Sequence, residues 1–196
     1  MFAEVLRERV GSVVLLSEAQ VAQLEQHFEL LQRWNKVLNL TGLEKVDEIV
    51  ERHYCESLFL GEHLPSGSVT IADVGSGAGF PGVPLAVLRP ECLVTLIESH
   101  QRKSVFLREV TRELPNVRVT AVRAENVGGR FDWGLVRAVK FDGIERALRR
   151  WASHVAVLGG EDRPSNLCFT WNNPVKLPWG KNRYLWLGRT VPRETT

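Results

Sequence analysis

Residues 71–82, IADVGSGAGFPG, constrain the fold of this chain more than any other stretch. A short apolar run, Val69–Val74, leads directly into Gly75, Gly77 and Gly79. An apolar run of that length bounded by glycine reads as a buried strand. Glycine after it permits positive φ and lets backbone N–H groups approach a ligand closely. A helical stretch starting near Gly79–Pro84 and running to about Leu88 follows, before Arg89-Pro90. Its positive N-terminal end points at the same ligand. Strand, glycine turn and helix together make a nucleotide-type cofactor loop, and the rest of the chain must supply the sheet that carries it.

The flanking pattern does so. Upstream, Val21, Leu24, Phe28, Leu31 and Leu38 recur at helical spacing over residues 17–38, and Ser17 with Gln20 forms a capping-box start. A second helix is predicted from Asp47 to about Leu60, ended by Gly61 and Pro65-Ser66-Gly67. Downstream, strands are predicted at Leu93–Ile97, Val117–Val122, Trp133–Val139, Leu167–Trp171 and Tyr184–Leu187. Helices are predicted at Arg102–Leu114 and, as one long element, Ile144–Leu158. Strands alternating with helices give a doubly wound, mostly parallel α/β sheet. Residues 172–183 leave little room for a crossover helix, so the last strand is expected in an antiparallel hairpin. The 196 residues suit one core with a short appendage: helices over 1–64, then a single α/β unit over 65–196.

Several classes drop out on composition. The N-terminus mixes acids with apolar residues, unlike a secretory leader, and no stretch is apolar enough to span a bilayer. Cys55, Cys92 and Cys168 are odd in number and far apart, which argues against a disulfide framework or a metal site and suits a reducing cytoplasm. A net charge of +2 makes the overall field a weak argument for a polyanionic partner.

The glycines alone leave the cofactor open, because Gly77-x-Gly79-x-x-Gly82 also fits a dinucleotide loop. Two acids discriminate. Asp73, two residues before the first glycine, would repel a pyrophosphate but suits the ammonium group of S-adenosylmethionine. Glu98 ends the next strand, 19 residues after Gly79, where a carboxylate can accept hydrogen bonds from ribose hydroxyls. That second feature fits both cofactors. Ala124 and Glu125 follow the third strand, near where an adenine lies in such a fold. The plain alternative is a tight strand-to-helix turn with solvated acids.

Six segments then carry a family resemblance: WNKVLNLT at 34–41, ERHYCES at 51–57, DVGSGAGFPGVPLA at 73–86, ESHQRKSVFLREV at 98–110, RAE at 123–125 and RAV at 137–139. Together they resemble the RsmG (glucose-inhibited division protein B) family of small-subunit ribosomal RNA methyltransferases, which methylate N7 of a guanine. Glu56 stands at the family's usual aspartate and Val136 at its usual serine. The resemblance fades after residue 139. It implies a Rossmann-like class I S-adenosylmethionine-dependent fold with an N-terminal helical extension. It also implies cofactor contacts from Gly75, Phe80, Ala124, Glu125 and Arg137, supported by Asp73, Glu98 and the remaining loop glycines Gly77 and Gly79. The implied partner is 16S ribosomal RNA, within a ribonucleoprotein particle, and the implied protein is a cytoplasmic monomer with no metal.

Guanine N7 has an exposed lone pair, so the lack of a catalytic His/Asp pair is compatible with this acceptor. Arg137 is the candidate catalytic side chain, able to orient the cofactor or the base through its fork of donors. His53 reads as a packed or capping group. Arg102, Lys103 and Arg108 on one helix, and Arg146, Arg149 and Arg150 on another, read equally as phosphate contacts or solvated faces. Trp171, Trp179 and Trp186 are expected in the core rather than stacked on a flipped base. Three other functions remain open: a methyltransferase on another RNA, a protein or a small molecule; a nicotinamide-dependent oxidoreductase; and a cofactor-binding ribosome assembly factor without turnover.

Overall fold

A computed structural model describes residues 1–165 and 167–191. The N-terminal part is helical: α1 (Phe2–Val10), α2 (Glu18–Leu38), α3 (Val46–Ile49), a π-helical turn (Val50–Cys55) and α4 (Glu56–Glu62). The α/β part runs β1 (Thr70–Val74), α5 (Gly82–Leu88), β2 (Leu93–Ile97), α6 (Gln101–Val110), β3 (Val117–Thr120), β4 (Phe131–Arg137), α7 (Phe141–Trp151) and β5 (Ala152–Gly159). It closes with β6 (Phe169–Trp171), β7 (Val175–Lys176) and β8 (Tyr184–Thr190).

The capping box on α2 forms as the sequence predicts. Ser17 Oγ accepts from Gln20 N–H and Gln20 Oε1 accepts from Ser17 N–H, satisfying two donors at the helix start. The sheet order is β3-β2-β1-β4-β5-β8-β6, with β7 also pairing β8. Strands β1 to β5 pair in parallel, and β8 runs antiparallel between β5 and β6. The antiparallel ending expected from residues 172–183 is thus present.

One predicted element is wrong. The helix expected over Ile144–Leu158 stops at Trp151, and Ala152 opens β5 with no intervening loop. No glycine or proline marks the junction, so local pattern cannot see it. Pairing decides it: Ala152–Leu158 lie between β4 and β8, where β-branched Val155 and Val157 fill a two-sided buried strand. The expected helix over 47–60 is present but holds the π turn, and α1 is an element that the periodicity did not single out.

Alternation along the strands divides the core. Ile71, Leu96, Leu135, Ala156 and Leu185 face one side and pack with Phe2, Leu6, Leu24, Leu58 and Leu85 of the helices. Ala72, Val74, Ile97, Val136, Val155 and Trp186 face the other side, under Ile144, Leu148 and Trp151 of α7. Both faces are therefore covered, as a parallel sheet requires. The loops that leave the carboxyl ends of β1, β2 and β4 converge, and such a crevice is where ligands bind in open α/β sheets.

Candidate active site

The loop after β1 takes the conformation its glycines allow, with φ of 68°, 54° and 91° at Gly75, Gly77 and Gly79. Gly75 and Ser76 donate their N–H groups to Ile97 O at the end of β2, at 2.8 and 3.1 Å. Gly77 N donates to Glu98 Oε2 at 3.0 Å, and His100 N donates to Glu98 Oε1 at 2.7 Å. Glu98 thus ties the glycine loop to the loop after β2. Each of its oxygens keeps a further lone pair for a ligand hydroxyl.

Asp73 is wholly buried beneath the loop. Its Oδ2 accepts from Gly82 N at 3.0 Å at the start of α5. A Cβ on Gly82 would collide with Leu96 and the Asp73 carboxylate, which explains glycine there. Asp73 Oδ1 is buried with no partner among the described residues. Burial pushes the carboxyl up to about 7, against the hydrogen bonds that favour its charged form.

His27 holds the loop from the other side. Its Nε2 lies 2.9 Å from Ala78 O and must donate to it, so Nδ1 accepts from the Tyr54 hydroxyl at 2.7 Å. Burial lowers its pKa to about 4, keeping the ring neutral. Phe80 packs against the rings of His27, His53 and Tyr54, with centroids 5.2, 4.6 and 5.0 Å away. It supports the loop from within the core.

A cleft of about 250 Å³ opens at the carboxyl ends of the strands, walled by Gly75, Ile97, Ala124, Glu125 and Val139. A Cβ on Gly75 would meet Val139 Cγ2 at 2.7 Å, so this wall is built for a residue without a side chain. The Ala124–Asn126 turn is fixed by α7, where Trp151 Nε1 donates to Ala124 O and Arg150 donates to Glu125 O. A larger cleft of about 840 Å³ is lined by Arg137 and Ala138, the two residues before Val139, together with residues 40–43 and polar residues of α3 and the π turn.

Arg137 ends β4 and is only 13% exposed. Its Nη2 donates to Arg52 O at 2.8 Å and to His53 Nδ1 at 2.7 Å. Because a guanidinium only donates, His53 Nδ1 is an acceptor, and its Nε2 donates to Thr41 Oγ1 at 2.8 Å. Burial, then the Arg137 charge, lowers His53 to about 3, so it is neutral at physiological pH.

Of the residues singled out by sequence, Gly75, Ala124 and Glu125 line the small cleft and Arg137 the large one. Asp73, Gly77, Phe80 and Glu98 hold the loop. His53 is packed, as expected, yet bonded to Arg137. The sequence did not single out His27 or Tyr54, and it marked Glu56 only through the family motif, without its burial. His27 carried a signal, as a histidine on the buried stripe of α2. Trp179 and Trp186 are buried and Trp171 packs on Phe141 and Phe169, the core role expected. Arg102, Arg108, Arg146 and Arg150 are exposed.

A sequence model of the GidB family, described as rRNA small subunit methyltransferase G, matches residues 20–155. The chain is 41% identical over 152 residues to the Ribosomal RNA small subunit methyltransferase G of Xanthomonas euvesicatoria pv. vesicatoria, covering 76% of this chain and 67% of that one. It is 43% identical over 123 residues to the protein of that name from Chromobacterium violaceum, covering 61% of this chain and 58% of the other. Among solved structures it resembles a SAM dependent methyltransferase from Aquifex aeolicus, with a TM-score of 0.59 at 16% identity, over 82% of this chain and 98% of that one. It also resembles MtNAS in complex with MTA and tNA, with a TM-score of 0.58 at 17% identity, over 87% and 70% of the two chains. At that identity the structural likeness establishes the fold.

Proposed function

The chain belongs to the rRNA small subunit methyltransferase G family, and from that premise we propose that it transfers a methyl group from S-adenosylmethionine to N7 of a guanine in 16S ribosomal RNA. The observation that carries this reading is two clefts lined by successive residues at the end of β4: Val139 in the one walled by the glycine loop and the 124–125 turn, Arg137 and Ala138 in the other.

The residues fit the cofactor. Asp73 Oδ1, buried and unpartnered, suits an ammonium group, whose charge would draw the carboxyl towards its ionised form. Gly75 leaves the wall bare where a side chain would intrude. Glu98 has lone pairs left for ribose hydroxyls, and Ala124 and Glu125 stand where an adenine would rest. When bound, S-adenosylmethionine supplies a methyl group activated by a sulfonium charge, and guanine N7 offers a lone pair that needs no base. What remains for this chain is positioning, which alone can lower a barrier by roughly 7–11 kcal/mol. Glu98 and His27 hold the loop, and Arg137, fixed on one edge, orients the acceptor in the larger cleft.

The substrate form proposed is the small-subunit ribonucleoprotein particle, acted on by a monomer in the cytoplasm. The test is incubation of radiolabelled S-adenosylmethionine with 16S RNA, naked and in small-subunit particles, followed by mapping of the label. One labelled guanine, sensitive to cleavage at N7-methylated sites, is the expected result. Label on no guanine in either substrate overturns the reading.

A further inference from the structure

Glu56, in the first turn of α4, is fully buried, and three arginines converge on its carboxylate. Arg183, between β7 and β8, engages both oxygens in a fork: Nε to Oε1 at 2.9 Å and Nη2 to Oε2 at 2.7 Å. Arg52 Nε lies 3.4 Å from Oε1. Arg137 Nε lies 3.6 Å from Oε2, is itself buried and makes no hydrogen bond among the described residues. Glu56 therefore attracts Arg137 without bonding to it.

The fork explains that geometry. A bidentate guanidinium takes one lone pair on each carboxylate oxygen and fixes the orientation of the carboxylate, here with Arg137 Nε 3.6 Å from Oε2. With Arg183 in place, Arg137 spends Nη2 on Arg52 O and His53 Nδ1, and its Nη1 makes no hydrogen bond among the described residues. Arg137 lines the large cleft, so that nitrogen is the one left for a ligand there. Without Arg183, both Glu56 oxygens turn to the remaining arginines. Closing the 3.6 Å gap to a bonded distance of about 2.8 Å draws the Arg137 guanidinium off His53.

We propose that Arg183 is a positioning residue for methyl transfer: by holding both oxygens of Glu56, it keeps Arg137 anchored on Arg52 and His53 with Nη1 free to meet the acceptor. This rests on the reading of Arg137 as part of the reaction site. It places a requirement for catalysis in the C-terminal segment, outside the loops that wall the cofactor cleft.

The experiment compares wild type with Arg183→Met and Arg183→Lys, reading turnover on small-subunit RNA and the ¹⁵N resonance of His53 Nδ1. Glu56 keeps two arginines in either variant, so its buried charge stays compensated. Arg183→Met is expected to lower kcat by about a hundredfold, the effect of displacing an orienting group by roughly an ångström. The His53 Nδ1 signal should move towards that of an unbonded imidazole nitrogen. Arg183→Lys keeps the charge but loses the fork, and should shift the resonance the same way with a smaller loss of turnover. If Arg183→Met fails to fold, Arg183→Lys decides by the same two readouts. Wild-type turnover together with an unmoved His53 resonance overturns the proposal while leaving the assigned reaction intact. A wild-type chain that labels no guanine overturns the assigned reaction instead, and the His53 resonance still reports whether Arg183 holds Arg137.

Discussion

Replacing Asp73 by asparagine should make the cofactor-free protein less sensitive to pH and a poorer binder of its cofactor. Asp73 is wholly buried, with one oxygen on Gly82 N–H and the other unpartnered, and burial lifts its pKa from 3.8 to about 7. In the unfolded chain the carboxyl ionises near its ordinary value; in the folded chain it keeps its proton until about 7. Between those values the folded state binds more protons than the unfolded one. Stability therefore falls as pH rises through the window. From about pH 5 to about pH 8 the loss due to Asp73 is roughly 2–3 kcal/mol, at about 1.4 kcal/mol for each unit over which the two states differ by a proton. Asp73→Asn has no charge to bury. Its Oδ1 can still accept from Gly82, while its amide brings an unsatisfied donor that costs about 1–3 kcal/mol at every pH. The stability difference between the two proteins should therefore move by roughly 2–3 kcal/mol in the variant's favour across that range. Urea unfolding of both proteins without cofactor measures it, and titrations of His27 and His53 cancel in the comparison. Calorimetric titration with S-adenosylhomocysteine at about pH 8 should show weaker binding by the variant, because the carboxylate proposed to balance the ammonium is gone. Parallel stability profiles for the two proteins would refute the buried-charge argument.

Other outcomes follow from the same geometry. His27→Phe keeps the ring volume but strands the Ala78 carbonyl and the Tyr54 hydroxyl. It should cost about 2–4 kcal/mol in chemical denaturation and weaken cofactor binding through the loosened loop; wild-type stability would remove His27 as the loop's support. Trp186→Phe loses the bond from Nε1 to Gly160 O and part of a buried ring, so about 2–3 kcal/mol of stability should go with turnover per folded molecule unchanged. A drop in kcat at full stability would instead put that indole at the acceptor. Arg102 is exposed in the first turn of α6, beside the loop after β2. Arg102→Gln should reduce the slope of log affinity for ribosomal RNA against log salt by about 0.7–0.9, and an unchanged slope in filter binding takes α6 out of the RNA interface.

Much of this molecule was legible in the chain because the physics involved is local. Alternating glycines after an apolar strand demand positive φ, and Gly75, Gly77 and Gly79 take it. Ser17 and Gln20 form their reciprocal cap three residues apart, and Glu98 falls at the end of the strand that its apolar run predicts. Strands and helices in alternation fixed the parallel sheet, and the break over 172–183 announced the antiparallel end.

Tertiary structure decided the rest. No residue at Trp151-Ala152 signals that a helix becomes a strand; only the slot between β4 and β8 makes extended backbone the better partner. Asp73 was legible as a carboxylate beside the glycines, but its full burial and orphaned oxygen come from α5 closing over it. Glu56 was legible only as the acid at the family's usual aspartate, with no sign of its burial or its partners. It is buried because Arg183, 127 residues away, and Arg137 at the end of β4 are brought to it by the sheet order. Conformational preference acts over a few residues, whereas the pairing of distant charges depends on the whole topology, so the sequence by itself determined the cofactor loop and only the fold determined how Arg137 is held beside it.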